Sequence, residues 1–251
     1  MGETTIAPPV PEEQPGDSFL SRALGVFISP GRAFESIARR PDFLAPLIIA
    51  VVAAIAVSET MLAKIGMEQI VRKSIEMSSR ASQMSADQMQ QAVHRGATIG
   101  GILARVGEVV GVPLYLLIIA AVGLFIVNVM FGGTIKLKAS FSVVCYANLV
   151  GLVGGALALV VILFGDPEQF NPQNFIPSNI GFFLNPHETS KFLYSLASSF
   201  DVFTTWFLIL TAMGLSAASG KKVRTVPIFA TFIGFWLVWA LAKAGLSMLG
   251  G

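Results

Sequence analysis

The stretch Phe141–Phe164, FSVVCYANLVGLVGGALALVVILF, carries no charged side chain along its whole length. A helix needs about 20 mostly apolar residues to cross the roughly 30 Å hydrocarbon core of a bilayer, so this stretch is long enough to span one. Four other runs have the same mostly apolar character, which predicts an all-α, polytopic transmembrane helical bundle with five spans. The predicted spans are Phe43–Leu62, Glu108–Phe131, Phe141–Phe164, Leu193–Ala217 and Pro227–Leu249.

The composition of the whole chain agrees with a membrane protein. Of the 251 residues, 54% are hydrophobic and 13% are charged, whereas an average soluble domain has about 25% charged residues. Too few polar side chains remain to cover a soluble core, so a water-soluble enzyme and a disordered chain are disfavoured. The net charge of +2 provides no large basic field, and we expect no nucleic-acid partner.

The chain divides into three parts by composition. Residues 1–17 are polar and proline-rich and are predicted to form a disordered tail. Residues 18–41 show apolar residues at helical spacing and are predicted to form two short amphipathic helices on the cytoplasmic face. Residues 42–251 form the membrane domain, whose first loop at 63–106 is long and mostly helical by pattern.

The two short helices directly before the first span are typical of helices that lie in the membrane interface. On this reading Phe27, Phe34 and Ile37 are buried in the membrane surface. The alternative is that these helices pack against the protein's own cytoplasmic loops. Four arginines flank the apolar stripes and are candidate contacts with anionic lipid headgroups. They are Arg22, Arg32, Arg39 and Arg40.

Two capping motifs predict where helices begin in the loops. Ser85 with Gln88 fits a capping box that starts a helix, and Gly96 is expected to end it. The segment Asn185-Pro186-His187-Glu188 has a capping residue followed by proline. We expect it to open the helix that continues into the fourth span.

Lysines and arginines are enriched in cytoplasmic loops, so their distribution predicts the orientation. With the N-terminus inside, nine lie on the inner side and eight on the outer side, six of the latter in the loop 63–106. Long loops count for less than short ones, so the two short hairpins decide. Their cations are Lys136, Lys138, Lys221, Lys222 and Arg224. We expect the N-terminus inside and the C-terminus outside.

Residues suited to catalysis or metal binding are scarce. His94 and His187 lie in separate loops, and neither has a second ligand at metal-binding spacing. Cys145, the single cysteine, has no basic neighbour in sequence and is expected to be inert packing. We therefore expect no catalytic site, no metal site and no cofactor.

Three charged side chains lie inside predicted spans, at one depth about 5 Å inside the outer edge of the hydrocarbon core. They are Glu59, Asp201 and Lys243. A charge at this depth is costly unless it is paired or hydrated. Three interpretations stay open. Each side chain reaches the headgroups separately, Lys243 forms a structural ion pair with Asp201 or Glu59, or the three line a path for ions or protons.

Small residues recur every four positions in the third span, at Ala147, Gly151 and Gly155. This spacing allows another helix to approach closely. We interpret it as packing within the bundle.

Several segments resemble a known family. The segment before the first span, SPGRAFESIARRP at residues 29–41, resembles the proline…phenylalanine…isoleucine…proline entry of the Yip-domain family, the Ypt/Rab-interacting proteins. The segments FDVFTTW at 200–206 and SADQM at 85–89 resemble that family's bacterial members. The likeness covers residues 18–249, and the order of the motifs, the five spans and the long first loop make it specific.

Eukaryotic Yip proteins are five-span membrane proteins implicated in vesicle traffic and in contacts with Rab-type GTPases. The resemblance therefore implies a trafficking-like or membrane-homeostasis role. The cytoplasmic tail of these proteins commonly carries an aspartate-leucine-tyrosine-glycine-proline segment that this chain lacks, which leaves a Rab-type GTPase in doubt as a partner. The likeness to bacterial members implies a location in the bacterial inner membrane.

The expected function is that of a non-enzymatic, multi-pass membrane protein that organises the membrane or partner proteins. Its expected partners are the lipid bilayer, including anionic lipids, and an unidentified membrane protein or a second copy of the chain. The alternative is a small ion or solute channel or transporter that uses Glu59, Asp201 and Lys243. An intramembrane enzyme has no catalytic set to support it.

Overall fold

The computed structural model describes residues 18–78, 83–166, 168, 170–172, 174–186 and 188–249. In this part of the chain the regular structure is helical, apart from one isolated bridge between Asn179 and Asp201. The all-α prediction is therefore confirmed. The tail predicted at residues 1–17 lies outside the described residues.

The α-helices, in chain order, are α1 Phe19–Ile28, α2 Pro30–Arg39, α3 Leu44–Lys64, α4 Met67–Glu76, α5 Ala86–Val106, α6 Val112–Phe125, α7 Leu137–Ala147, α8 Val150–Phe164, α9 Lys191–Ser199, α10 Val202–Ala218 and α11 Thr225–Leu249. Two π-helical turns, Gly107–Gly111 and Ile126–Met130, continue α5 into α6 and extend α6. A 3-10 turn at Ile180–Phe183 precedes α9.

Within the described part of the chain, four helical segments are long and apolar enough to cross a membrane. They are Leu44–Lys64, Ala86–Met130, Leu137–Phe164 and Thr225–Met248. Each contains most of one predicted span. The second is much longer than predicted, because the helix that starts after Ser85 runs on without a break into the span. The helix end predicted at Gly96 is therefore wrong.

The capping box at Ser85 is formed as predicted. The Ser85 hydroxyl accepts a hydrogen bond from the backbone N–H of Gln88, and the Gln88 side chain accepts one from the backbone N–H of Ser85. The helix start predicted at Asn185 is wrong, because α9 begins at Lys191 and is capped by the Ser190 hydroxyl.

The predicted fourth span, Leu193–Ala217, is not one helix. It divides into α9 and α10 at Phe200 and Asp201, both of which have non-helical backbone angles. Asp201 is the N-cap of α10, and its carboxylate accepts a hydrogen bond from the backbone N–H of Thr204 at 2.8 Å. Each piece alone is shorter than the four long segments, so the count of five spans is not confirmed.

The core of the bundle lies where α7 and α10 meet α2. The large side chains buried there include Tyr146, Phe34 and Ile37. The contact is close at Gly214 of α10, where an added Cβ would lie 2.7 Å from Cδ1 of Phe34 and would also overlap Val143. A glycine at this position lets α2 pack directly against the backbone of α10.

Two turns and α2 lie together at one end of the bundle, which we call the basic end. The Asn128 side chain closes the turn before α7 through two hydrogen bonds to the backbone of Ile135. Val223, in the turn between α10 and α11, packs against Gly133 of that turn. Lys221 of the same turn forms an ion pair with Glu35 of α2.

Candidate functional site

The helix α1 has an inverted distribution of polar and apolar side chains. Its most buried residues are Arg22 and Val26. Its exposed residues are the apolar Leu20, Leu24, Phe27 and Ile28, with Ser21 as the one polar member. A surface helix of a soluble protein shows the opposite arrangement. The outward face of α1 is therefore suited to contact with lipid or with another apolar surface.

Arg22 is held by a network that joins four elements. Its side chain is 3% exposed and donates from Nε to the Ser36 hydroxyl of α2 at 3.1 Å. Its Nη1 donates to the Arg40 carbonyl and to Oδ2 of Asp42, both at 3.0 Å. The other carboxylate oxygen of Asp42 accepts a hydrogen bond from the Tyr146 hydroxyl of α7 at 2.7 Å. The network fixes α1 and α2 to the start of α3 and to the bundle.

The positions of these residues correct part of the prediction for residues 18–41. Arg22 is not a surface contact for lipid headgroups, because its guanidinium is turned inward onto Asp42. Phe34 and Ile37 are fully buried in the bundle and not in a membrane surface. Each alternative holds only in part, because α2 packs against helices α7 and α10 and its Glu35 also pairs with Lys221 in the turn between α10 and α11. Arg32, Arg39 and Arg40 are exposed.

The end of α1 reaches far along the bundle. The ring of Phe27 meets the ring of Trp206 in α10, with centroids 5.9 Å apart in an edge-to-face arrangement. Trp206 lies twelve residues before the end of α10 at Ala218, which corresponds to about 18 Å along the helix axis. The apolar face of α1 therefore lies beside the body of the bundle and not beyond its end.

A second link ties α2 to the basic end. The Lys221 ammonium lies 2.6 Å from Oε1 of Glu35. The hydrogen bond from Lys221 and its positive charge lower the pKa of the Glu35 carboxyl, with a smaller contribution from Arg39. Lys221 has φ of 61°, a left-handed conformation that favours glycine, so its backbone is strained where its side chain makes this contact.

The exposed cations of the basic end come from three separate segments. Around Glu35 and Asp42 lie Arg32, Arg39, Arg40, Lys136, Lys138, Lys221, Lys222 and Arg224. A cleft of about 350 Å³ separates α2 from the turn before α11, and Lys221 and Arg224 line it. This end of the molecule is suited to an anionic surface or ligand.

The three charged side chains predicted at one depth have separate partners. Glu59 of α3 forms an ion pair with Arg105 of α5, whose Nε lies 2.8 Å from the Glu59 carboxylate. Asp201 caps α10 and also accepts a hydrogen bond from the Ser178 hydroxyl. The Lys243 ammonium lies 5.4 Å from the centre of the Trp239 ring, one turn earlier in α11.

The predicted ion pair of Lys243 with Asp201 or Glu59 is not formed among the described residues. The hydroxyl of Thr205, four residues after Asp201, donates to the Asp201 carbonyl at 3.0 Å. The sequence did not identify Arg105 as the partner of Glu59. Arg105 was assigned to the loop 63–106, whereas in the structure it belongs to α5, which brings it next to α3.

The small residues of the third span are placed differently from one another. Ala147 is buried at the end of α7, and Gly151 faces open space apart from Asn148. Gly155 lies against Val57 of α3, where an added Cβ would be 3.5 Å from Cγ2 of that valine. The helix is interrupted after Ala147, so the three do not form one continuous face.

No group of three or more potential metal ligands occurs among the residues that the structure describes. His94 lies 3.9 Å from Glu68 in the hairpin of α4 and α5, and both side chains are largely exposed. His187 lies outside the described residues. Cys145 is buried in the core.

Comparison with known proteins gives one family and one relative. The family model described as the Yip1 domain matches residues 24–242. The relative named "Membrane protein YknW" of Bacillus subtilis (strain 168) is 27% identical over 229 residues, which cover 90% of this chain and 91% of the relative. No solved structure gives a significant match.

Proposed function

Because this chain belongs to the Yip1 domain family of membrane proteins, we propose that it is a non-enzymatic multi-pass protein that organises the inner leaflet through α1 and α2. One observation carries this proposal. The helix α1 turns Arg22 inward and presents Leu20, Leu24 and Ile28 outward, and its end contacts Trp206 beside the body of the bundle. In a bilayer, this arrangement inserts α1 among the acyl chains.

We propose five crossings of the membrane, with α9 and α10 together forming the fourth. At one end, the Ser247 hydroxyl of α11 donates to the Lys191 carbonyl of α9. At the break between α9 and α10, the ring of Phe200 packs against Trp236 of α11, with centroids 5.2 Å apart. The turn at Val223 then joins α10 to α11. The pair thus runs antiparallel to α11, which is itself long enough to span.

The basic end is proposed to face the cytoplasm of a bacterial cell, with the N-terminus inside and the C-terminus outside. The cations of both short hairpins and of α2 gather there, and only two described carboxylates, Glu35 and Asp42, lie among them. Cationic loops are retained on the cytoplasmic side during insertion. The opposite end carries more carboxylates than cations among the described residues.

Anionic phospholipid is the proposed partner of the basic end. The insertion of α1 brings the adjoining helix α2 and its exposed Arg32 and Arg39 to the level of the headgroups. Each cation near an anionic leaflet attracts it by about 1 kcal/mol. The apolar face of α1 and the basic residues of α2 would therefore act on the same leaflet.

Native mass spectrometry of the purified protein tests the lipid preference. The wild-type protein should retain more phosphatidylglycerol than phosphatidylethanolamine from an equimolar mixture. The double variant Arg32→Gln, Arg39→Gln should lose most of this preference. The matched control Arg72→Gln, Arg95→Gln removes two exposed arginines from the opposite end and should keep this preference.

Equal retention of the two lipids by the wild-type protein would contradict the lipid part of the proposal. The purified protein, reconstituted into proteoliposomes, also allows a test of the alternative function. An ion flux that depends on Glu59 or Asp201 would favour a channel, although these residues have separate partners in the structure.

A further inference from the structure

The loop between α8 and α9 is polar on its inner side. Asn174 is buried and donates hydrogen bonds to the Asn179 side chain and to the Ser198 hydroxyl of α9. Asn171 donates to the Tyr194 hydroxyl of α9 at 3.0 Å. The amide and hydroxyl groups of the loop are thus used to attach it to α9.

The 3-10 turn of this loop is apolar on its outer side. Phe183 is 75% exposed, Ile180 is 57% exposed, and Phe182 is 40% exposed. No charged residue occurs between Ile176 and Leu184 in the sequence. A loop with its polar groups inside and its aromatic groups outside is the reverse of a loop in water.

The turn is rigidly placed relative to α10. The N–H of Val202 donates to the Ser178 carbonyl at 2.9 Å, next to the bridge between Asn179 and Asp201. Gly181 lies so close to α9 that an added Cβ would be 2.7 Å from the backbone nitrogen of Ser198. The exposed aromatic side chains are therefore held in a fixed position.

This position corresponds to the outer leaflet when the basic end faces the cytoplasm. Asp201 lies 17 residues from Ala218, about 25 Å along the axis of α10 and within a hydrocarbon core of roughly 30 Å. The exposed Val202 at the start of α10 and the exposed Phe200 before it continue the apolar surface beside the turn. Interfacial helices bury Phe, Trp and Leu side chains at the boundary of headgroups and acyl chains.

We propose that the 3-10 turn Ile180–Phe183 is a fixed aromatic anchor that inserts Ile180 and Phe183 into the outer leaflet, at the boundary of acyl chains and headgroups. Non-helical backbone is tolerated at this depth only where its polar groups are satisfied. The N–H of Phe182 bonds to the Asn179 side chain, and the N–H of Leu184 bonds to the Gly181 carbonyl. The occupant of the apolar patch is lipid, because the patch is continuous with the membrane-facing surface at α10.

Spin labels on single cysteines test this inference in reconstituted vesicles. The variants Ile180→Cys and Phe183→Cys carry a nitroxide in a Cys145→Ala background, and Glu188→Cys is the matched control at an exposed residue of the same loop. Collision with oxygen, which concentrates in the bilayer, is compared with collision with a water-soluble nickel chelate. The ratio of oxygen to nickel accessibility should be several-fold higher at 180 and 183 than at 188.

Two results would overturn the anchor. Nickel accessibility above oxygen accessibility at both 180 and 183 would place the turn in water. Low accessibility to both reagents, with dipolar broadening between labels on separate molecules, would show that a second copy of the chain covers the patch. The proposed lipid preference of the basic end is measured with different residues and can fail or hold independently.

Discussion

Arg22 and Asp42 form an ion pair, 3.0 Å long, in which the two partners are buried to very different extents. The arginine side chain is 3% exposed and the aspartate side chain is 53% exposed. Water can therefore hydrate the Asp42 carboxylate even if Arg22 is removed. The buried Arg22 guanidinium has no such access to water, and its charge must be balanced by Asp42. The pair fixes α1 with its apolar face outward.

This asymmetry predicts unequal effects of the two neutralising substitutions. Asp42→Asn should lower the free energy of unfolding by about 2 kcal/mol, less than the 3–5 kcal/mol typical of a fully buried pair because Asp42 is half in solvent. Arg22→Met should cost less, since the charge that loses its partner, the Asp42 carboxylate, is hydrated and keeps its hydrogen bond from Tyr146. Unfolding in detergent micelles measures both, with the exposed Arg32→Met as control. A larger loss for Arg22→Met than for Asp42→Asn would contradict this account.

The close approach of α2 to α10 predicts that Gly214 cannot be enlarged. Gly214→Ala places a methyl group against Phe34 and Val143 and should destabilise the protein by about 1–3 kcal/mol through overpacking. Gly234→Ala in α11 is the matched control, because no atom lies within 4 Å of its added Cβ. Gly234→Ala should leave the stability of the protein unchanged or raise it slightly, since alanine has a higher helix propensity than glycine. Equal thermal stability of the two variants would show that α2 is not packed there.

Two substitutions at Lys221 distinguish the effect of backbone strain on stability from the effect of the ion pair. Lys221→Gly and Lys221→Ala both remove the ammonium, but only alanine keeps a Cβ at a φ of 61°. The glycine variant should therefore be more stable than the alanine variant by about 1 kcal/mol. Thermal melting of the two variants measures the difference, and Ala218→Gly within the adjoining helix serves as a control for glycine itself. An alanine variant as stable as the glycine variant would argue against the left-handed backbone.

The ion pair between Glu35 and Lys221 predicts that the stability of the folded state decreases as the pH falls. The folded-state pKa of Glu35 is lowered, so the link stabilises the folded state above the carboxyl's ordinary pKa. The stabilisation is lost as the pH falls through the lowered pKa. Stability measured from pH 7 to pH 3 should therefore fall less steeply for Glu35→Gln than for the wild-type protein. Identical slopes would mean that the pair contributes nothing.

Features set by neighbouring residues in the chain could be predicted from the sequence. The apolar run that became α3 and the capping box at Ser85 depend only on residues within one helix, and both are present. The break at Asp201 was missed because its neighbours are apolar and helical by pattern. The cap itself is a local bond to Thr204, but the Asp201 carboxylate also accepts a hydrogen bond from Ser178, which is 23 residues away in the sequence.

Contacts between distant segments could not be predicted from spacing. Arg22 was assigned to a membrane surface because arginine on a short amphipathic helix normally faces headgroups. Its burial depends on Asp42 and Tyr146, and helical periodicity does not identify such partners. For the same reason the partner of Glu59 was sought in Lys243 and is found in Arg105.

The most direct test of the central claim, that α1 lies in the inner leaflet with its apolar face in lipid, is cysteine labelling in inside-out membrane vesicles. A membrane-impermeant maleimide is applied to Leu24→Cys, Ile28→Cys and Arg32→Cys, and the wild-type protein with buried Cys145 gives the background. The account predicts rapid labelling of Arg32→Cys and no labelling of the other two until the membrane is dissolved in SDS. Labelling of Leu24→Cys and Ile28→Cys as fast as Arg32→Cys would place the apolar face of α1 in water and contradict the claim.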